Sequence, residues 1–146
     1  MMGRTMLVQR LEIFEYDTPR GPWHSNVIND PTWEAIEAAI SRLDRCLFPF
    51  IWLYSDSHLP QHGDLPHFEI IGGDGAYAVV CRTEKGEFCL KNPSGGTEQI
   101  DVWVSDQGTQ IPSHSVCRSL AEVLAAAKYF FIHGSPNPES VWAEWP

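Results

Sequence analysis

The chain predicts an α+β fold: an antiparallel sheet of about six or seven strands with two helices packed on one face. Three observations carry that expectation. Segments with period-two alternation follow one another in long runs, turn residues separate them at short intervals, and only two stretches repeat apolar residues at helical spacing. The 146 residues, 43% hydrophobic and 12% aromatic, suffice for one packed core and are too few for two ordinary domains, so residues 1–146 are expected to form a single domain.

Leu7, Gln9, Leu11 and Ile13 alternate with Val8, Arg10, Glu12 and Phe14, which predicts a strand over 5–16. A loop rich in Pro, Gly and Asn is expected from Asp17 to Asn29. Asp30 followed by Pro31 reads as a helix start, an oxygen acceptor ahead of a residue that has no N–H to satisfy. Trp33, Ile36, Ile40 and Leu43 then form an apolar stripe opposite Glu34 and Glu37, with the helix ending near Asp44.

The run LFPFIWLY, Leu47 to Tyr54, is almost continuously apolar and predicts a central strand either buried on both faces or covered at its start by a helix. After the polar loop SDSHLPQHGDLP, strands are predicted at 67–71 and 76–82 around the turn GGDG. A third follows at 87–91 behind Glu84, Lys85 and Gly86, a tripeptide suited to a short hairpin. Ile100, Val102 and Val104 alternate with Asp101, Trp103 and Ser105, the mark of a half-buried antiparallel strand, and a short return strand follows. Ser119 and Glu122 form a capping box. Leu120, Val123, Leu124, Ala127 and Phe131 mark the inner stripe of the last helix, closed by Gly134 with Pro136 beyond.

The formal charge of −9, from 19 acidic and 10 basic side chains, is segregated. No Lys or Arg lies between Arg45 and Arg82, a gap that holds Asp56, Asp64, Glu69 and Asp74; the gap from Lys91 to Arg118 holds Glu98, Asp101 and Asp106. A negative surface repels phosphate backbones and anionic lipid, so nucleic acid and membrane are not expected partners. It attracts a basic protein and speeds encounter with it. The N-terminus lacks the apolar core of a secretion signal, and no run approaches the ~18 residues of a membrane span, so a cytoplasmic location is expected. Cys46, Cys81, Cys89 and Cys117 are widely spaced in mostly apolar sequence, as buried free thiols are; Cys81 and Cys89 are also placed to face one another across a hairpin.

Few residues point to chemistry. His58, His62 and His67 near Asp56 and Asp64 are zinc-ligand types, but no helix sets two of them on one face, and the expected reading is a solvated polar loop with no metal or cofactor. GGDGAY lacks the phosphate-cradle spacing and a following helix, so a tight turn is the better reading. Ser113, His114 and Ser115 precede the last helix, yet adjacent residues rarely point at each other and no GxSxG elbow is present. Cys117 sits near the same helix start, where a thiol pKa can fall, and burial is the expected outcome. No catalytic residue is assigned, and the chain is not expected to be an enzyme.

Trp33 and Trp52 fall on predicted core faces, whereas Trp23, Trp103, Trp142 and Trp145 fall in loops, at an outward strand position or near the C-terminus. An outward Trp among Asp residues is the composition of a protein-binding patch. The competing expectation is that the C-terminal tail carrying Trp142 covers Trp103.

The segments PTWEAIEAAISRLD, PFIWLY, IIGGDGAYAVV, DVWVSDQGTQIPSHSVCRSLAEVLAAAKYFFIHG and PNPESVW, in that order over about residues 31–142, together resemble the Imm-one family of bacterial immunity proteins. The resemblance implies a cytoplasmic antidote that binds a cognate toxin domain, of the nucleic-acid deaminase or nuclease class, and occludes its active site. A basic toxin domain is then the expected partner. Asp56, Asp64, Glu69, Asp101, Trp103 and Asp106 are the candidate partner-binding residues, chosen for charge and aromatic character. Two other classes compete: a small-molecule or metal-binding protein using the histidine-rich loop 56–67, and an adaptor that forms a homodimer through Trp103 and the C-terminal tail.

Overall fold

The computed structural model describes residues 7–56 and 59–145. Among them the elements run β1 Val8–Tyr16, β2 Trp23–Asn29, α1 Trp33–Ser41, β3 Phe50–Ser55, β4 Phe68–Gly73, β5 Ala76–Thr83, β6 Gly86–Leu90, β7 Gln99–Trp103, β8 Thr109–Pro112, α2 Leu120–His133 and β9 Trp142–Glu144. Seven strands join in the order β2-β1-β3-β4-β5-β6-β9, every neighbouring pair antiparallel, and β7 and β8 form a separate ribbon. The fold is α+β and mostly sheet, as expected.

Alternation along the strands divides the side chains between two faces. Leu11, Ile13, Ile51, Leu53, Phe68, Ile70, Val79, Cys81 and Leu90 point to one face and meet Ile36, Ala39 and Ile40 of α1 and Val123, Ala126, Ala127 and Phe130 of α2. Both helices therefore lie on the same face. On the other face a smaller cluster of Ala76, Ala78, Val102, Ile111 and Val116 fixes the β7–β8 ribbon across β4 and β5.

The departures from expectation have local causes. The segment read as a loop over 17–29 contains β2, an edge strand whose side chains are mostly exposed and so show no alternation of apolar with polar. The α1 cap is Thr32, whose hydroxyl accepts from Ala35 N at 3.1 Å; Asp30 instead has a positive φ of 50° and ends β2. α1 stops at Ser41 rather than near Asp44. The centre of the α2 stripe is Phe130, with Phe131 half-buried against Trp33 at 6.0 Å and Leu120 exposed. β3 begins at Phe50, and only its Ile51 and Leu53 are fully buried; Trp52 lies on the face away from the helices. β9 was not expected, since three residues are too short to display a period.

The turn between β4 and β5 is tighter than GGDG. Gly73 pairs with Ala76, leaving Asp74 and Gly75 as a two-residue turn with φ values of 51° and 82°, the positive pair that matches strand twist. Gly73 itself has φ 144°, and a Cβ there would stand 2.4 Å from Asp44 N. Cys81 and Cys89 are one residue out of register, Val80 opposing Cys89 and Cys81 opposing Phe88, so they point to opposite faces and all four cysteines are free.

Candidate partner-binding face

The face turned away from the helices combines aromatics with one ionic chain. The period of two on β1 and β3 places Phe14, Tyr16, Phe50, Trp52 and Tyr54 there. Phe14 stands 4.5 Å from both Phe50 and Trp52 and 5.8 Å from Trp23 of β2, and Phe50 stands 5.2 Å from Trp103 of β7. These tilted and edge-on contacts make an aromatic stripe across three strands that continues into the ribbon. Arg10 lies over the Tyr54 ring at 3.8 Å.

Beside the stripe, Trp52 donates its indole N–H to Glu69 Oε2 at 3.0 Å, and Arg82 donates to Glu69 Oε1 at 3.1 Å, to Glu87 Oε1 at 2.7 Å and to the Pro66 carbonyl at 3.0 Å. Arg82 is only 6% exposed. Its burial is compatible with charge because two carboxylates and a carbonyl satisfy the guanidinium.

The six candidate residues do not gather in one place. Asp101, Trp103 and Asp106 line one shallow depression of 550 Å³ on the ribbon, with Val104, Gln107 and Gln110. Glu69 lies mid-sheet, largely buried and held from two sides. Asp56 follows β3 and Asp64 precedes β4, both exposed, at the strand ends away from the Phe50–Ile71 pair that adjoins the ribbon.

Trp103 is not the outward residue its strand position predicts. It is half-buried against Tyr16 and Phe50, its N–H donates to Ser105 Oγ at 2.7 Å, and that hydroxyl donates to the Cys46 carbonyl at 2.7 Å. Trp142, the tail residue expected over it, instead packs on the helix face of the sheet and donates to the Asn137 carbonyl. Asp106 accepts from the Tyr16 hydroxyl at 3.1 Å. Burial, with the Asp106 carboxylate beside it, pushes the Tyr16 phenol up to about 12. Asp101 is exposed and accepts from Gln110 at 2.8 Å.

The two described histidines of the loop are bonded to different parts of the chain. His62 Nε2 meets the Thr83 carbonyl at 2.9 Å, His67 Nδ1 accepts from Ser55 N at 3.2 Å, and His58 lies outside the described residues. Among the described residues, no three His, Cys, Asp or Glu side chains form a group able to hold a metal ion. A cleft of 910 Å³ does open there, lined by Gln61, His67, Lys85, Phe88, Phe130 and Trp142 among others.

Ser115 and His114 do approach one another, contrary to expectation, with Ser115 Oγ 3.2 Å from His114 Nδ1. Lys91 Nζ also meets that nitrogen, at 2.5 Å, and occupies the lone pair a base would need. Burial pushes the Cys117 thiol up to about 11, the reverse of activation.

Phe14, Phe50, Trp52 and Arg82 were not chosen from the sequence. The available signal was the period of two, which sets Phe14 and Trp52 on the face opposite Ile13 and Ile51.

Neither a protein-family model nor any curated protein matches the chain. Among the described residues no helix is long and apolar enough to cross a membrane.

Proposed function

We propose that the chain is an immunity protein that binds a cognate bacterial toxin domain of the nucleic-acid deaminase or nuclease class and blocks its active site. The observation that carries the reading is the ribbon depression, where exposed Asp101 lies with Trp103 and Asp106 beside the aromatic stripe. Aromatic anchors supply contact area and acidic groups select a basic partner. A domain that acts on DNA or RNA needs a positive cleft to hold phosphates. A chain of net charge −9 competes for such a cleft and reaches it faster than a neutral one. The order of elements over residues 31–142, which resembles that of the Imm-one family, supports the same reading.

Occlusion requires area rather than chemistry. A stable interface covers about 800 Å² on each partner, roughly a tenth of the 7721 Å² of accessible surface here. The ribbon and the aromatic stripe together offer a surface on which to place it.

The test is co-expression. The C-terminal domain of the protein encoded immediately upstream is induced with and without this chain, and survivors are counted. Rescue specific to this chain supports the reading. Killing that is equal in its presence, or a harmless upstream domain, removes it.

A second reading, a small-molecule binding protein, is favoured by the 910 Å³ cleft beside the loop 59–67, whose apolar floor of Phe88, Phe130 and Trp142 meets polar His67 and Gln61. Ligand-induced thermal stabilisation of the wild type that is lost in His67→Ala would favour it over occlusion.

A further inference from the structure

Among the described residues the sheet ends on one side in β2, seven residues long, paired only with β1 and carrying no Asp, Glu, Lys or Arg. Exposed edges normally carry charge, proline or a bulge that deters pairing with another chain. Here Trp23 is 55% exposed, Val27 49% and Ile28 38%. The opposite edge, β9, is only three residues long.

The direction of the free backbone groups follows from the ladder. Asp17 N donates to Pro22 O and Asp30 N to Gln9 O, so even-numbered residues of β2 turn their N–H and C=O groups toward β1. Trp23, Ser25, Val27 and Asn29 therefore turn theirs outward. The same residues carry their side chains on the aromatic face, since Trp23 opposes Tyr16 and Ser25 opposes Phe14.

We infer that β2 pairs antiparallel with β2 of a second copy of this chain, about a two-fold axis at Ser25. That register sets Trp23 of each copy opposite Val27 of the other, bringing the two exposed apolar residues of this face together twice. Ser25 opposes its own equivalent, and on the other face His24 opposes Asn26. Just beyond the paired strands, exposed Arg20 before β2 of one copy lies at the same end as exposed Asp30 after β2 of the other, so opposite charges flank the interface although each chain has a net charge of −9. Both seven-stranded sheets then run on as one. Because Phe14 contacts Trp23, the two aromatic stripes also become continuous. This dimer does not depend on toxin binding and differs from association through Trp103 and the C-terminal tail.

The experiment is sedimentation velocity across about 1 to 500 μM, the range in which mass action separates monomer from dimer, on wild type and Ser25→Lys. Wild type is expected to shift toward twice the monomer mass with concentration. Ser25→Lys, which sets like charges opposite one another, is expected to remain monomeric. In a Cys46→Ser background under oxidising conditions, Ser25→Cys is expected to cross-link to a disulfide dimer, whereas Asn29→Cys, on the same face but far from the axis, is not. Wild type that stays monomeric throughout, a dimer indifferent to Ser25→Lys, or cross-linking of Asn29→Cys as readily as Ser25→Cys overturns the inference. So does a monomer whose β2 amides become protected only when a toxin domain is added, which assigns the edge to that partner instead.

Discussion

Trp52 and Glu69 face one another across the β3–β4 ladder, and the indole N–H donates to the carboxylate at 3.0 Å. The other carboxylate oxygen takes Arg82, so both oxygens of Glu69 are engaged within the chain. Glu69 thus organises the sheet face by holding an aromatic and a buried cation in place.

Arg82→Met removes the cation that two carboxylates share and leaves Glu69, whose side chain is 14% exposed, without its counter-charge. Removing one partner of a buried ion pair costs about 3 kcal/mol. Urea denaturation should show the loss as a lower midpoint with unchanged slope. A midpoint equal to wild type would contradict the placement of Arg82.

Burial pushes the Cys81 thiol up to about 12 and the Cys89 and Cys117 thiols up to about 11, from 9.0. In the unfolded chain these thiols release protons from about pH 9, while the folded chain keeps them. The unfolded state therefore binds fewer protons, and stability must fall as pH rises. Stability is expected to be level with respect to these thiols below pH 9 and to decline toward pH 11. In the native state, half-buried Cys46 is expected to react with a thiol reagent at pH 8 ahead of the other three. Equal labelling of all four would contradict their burial.

Gly73→Ala meets two obstacles, a φ of 144° and the backbone of Asp44 at 2.4 Å. The added methyl cannot be relieved by a rotamer change, because the atoms it meets are main chain. The expected loss is about 3 kcal/mol or failure to fold. A thermal midpoint within a degree of wild type would show that the α1–β3 connection can move aside.

Asp101→Lys and Asp106→Lys are expected to differ. Asp101 is exposed and its carboxylate accepts from Gln110 within the ribbon, so its reversal should slow association with a basic toxin domain about tenfold and leave the fold intact. Asp106 also accepts from buried Tyr16, so its reversal should lower stability as well, by about 1 kcal/mol. Stopped-flow association rates together with thermal melts separate the two effects. Identical behaviour of the two variants would contradict the Tyr16 contact.

Much of the fold was legible because local chemistry and tertiary placement agree. Ser119 caps α2 as its spacing with Glu122 predicts, Gly134 closes it in the left-handed conformation, and the turns after Gly73 and Thr83 fall within GGDG and Glu84–Gly86, each tightened to two residues. β2 and β9 were hidden because an edge strand answers to one neighbour only and has little core to pattern it. The ribbon was read as a strand and its return, but nothing local says that it leaves the main sheet; Val102 and Ile111 choose it by packing on Ala76 and Ala78. The candidate residues were chosen for charge, and charge carries no information on which carboxylates the fold itself consumes. Asp101 and Asp106 are both exposed, but Asp106 and Glu69 are engaged by Tyr16, Trp52 and Arg82 of the main sheet, whereas the Asp101 carboxylate takes Gln110 of its own ribbon. Arg82, Trp52 and Tyr16 lie 13, 17 and 90 residues away in sequence from the carboxylates they engage.

The most direct test of the proposed role is a titration of the purified upstream toxin domain with this chain, reading the toxin's own catalytic rate on nucleic acid. Occlusion predicts a linear fall to zero with a break at one chain per toxin domain, and a right-shifted curve for Asp101→Lys. A rate unchanged at several-fold excess of the chain would contradict the account.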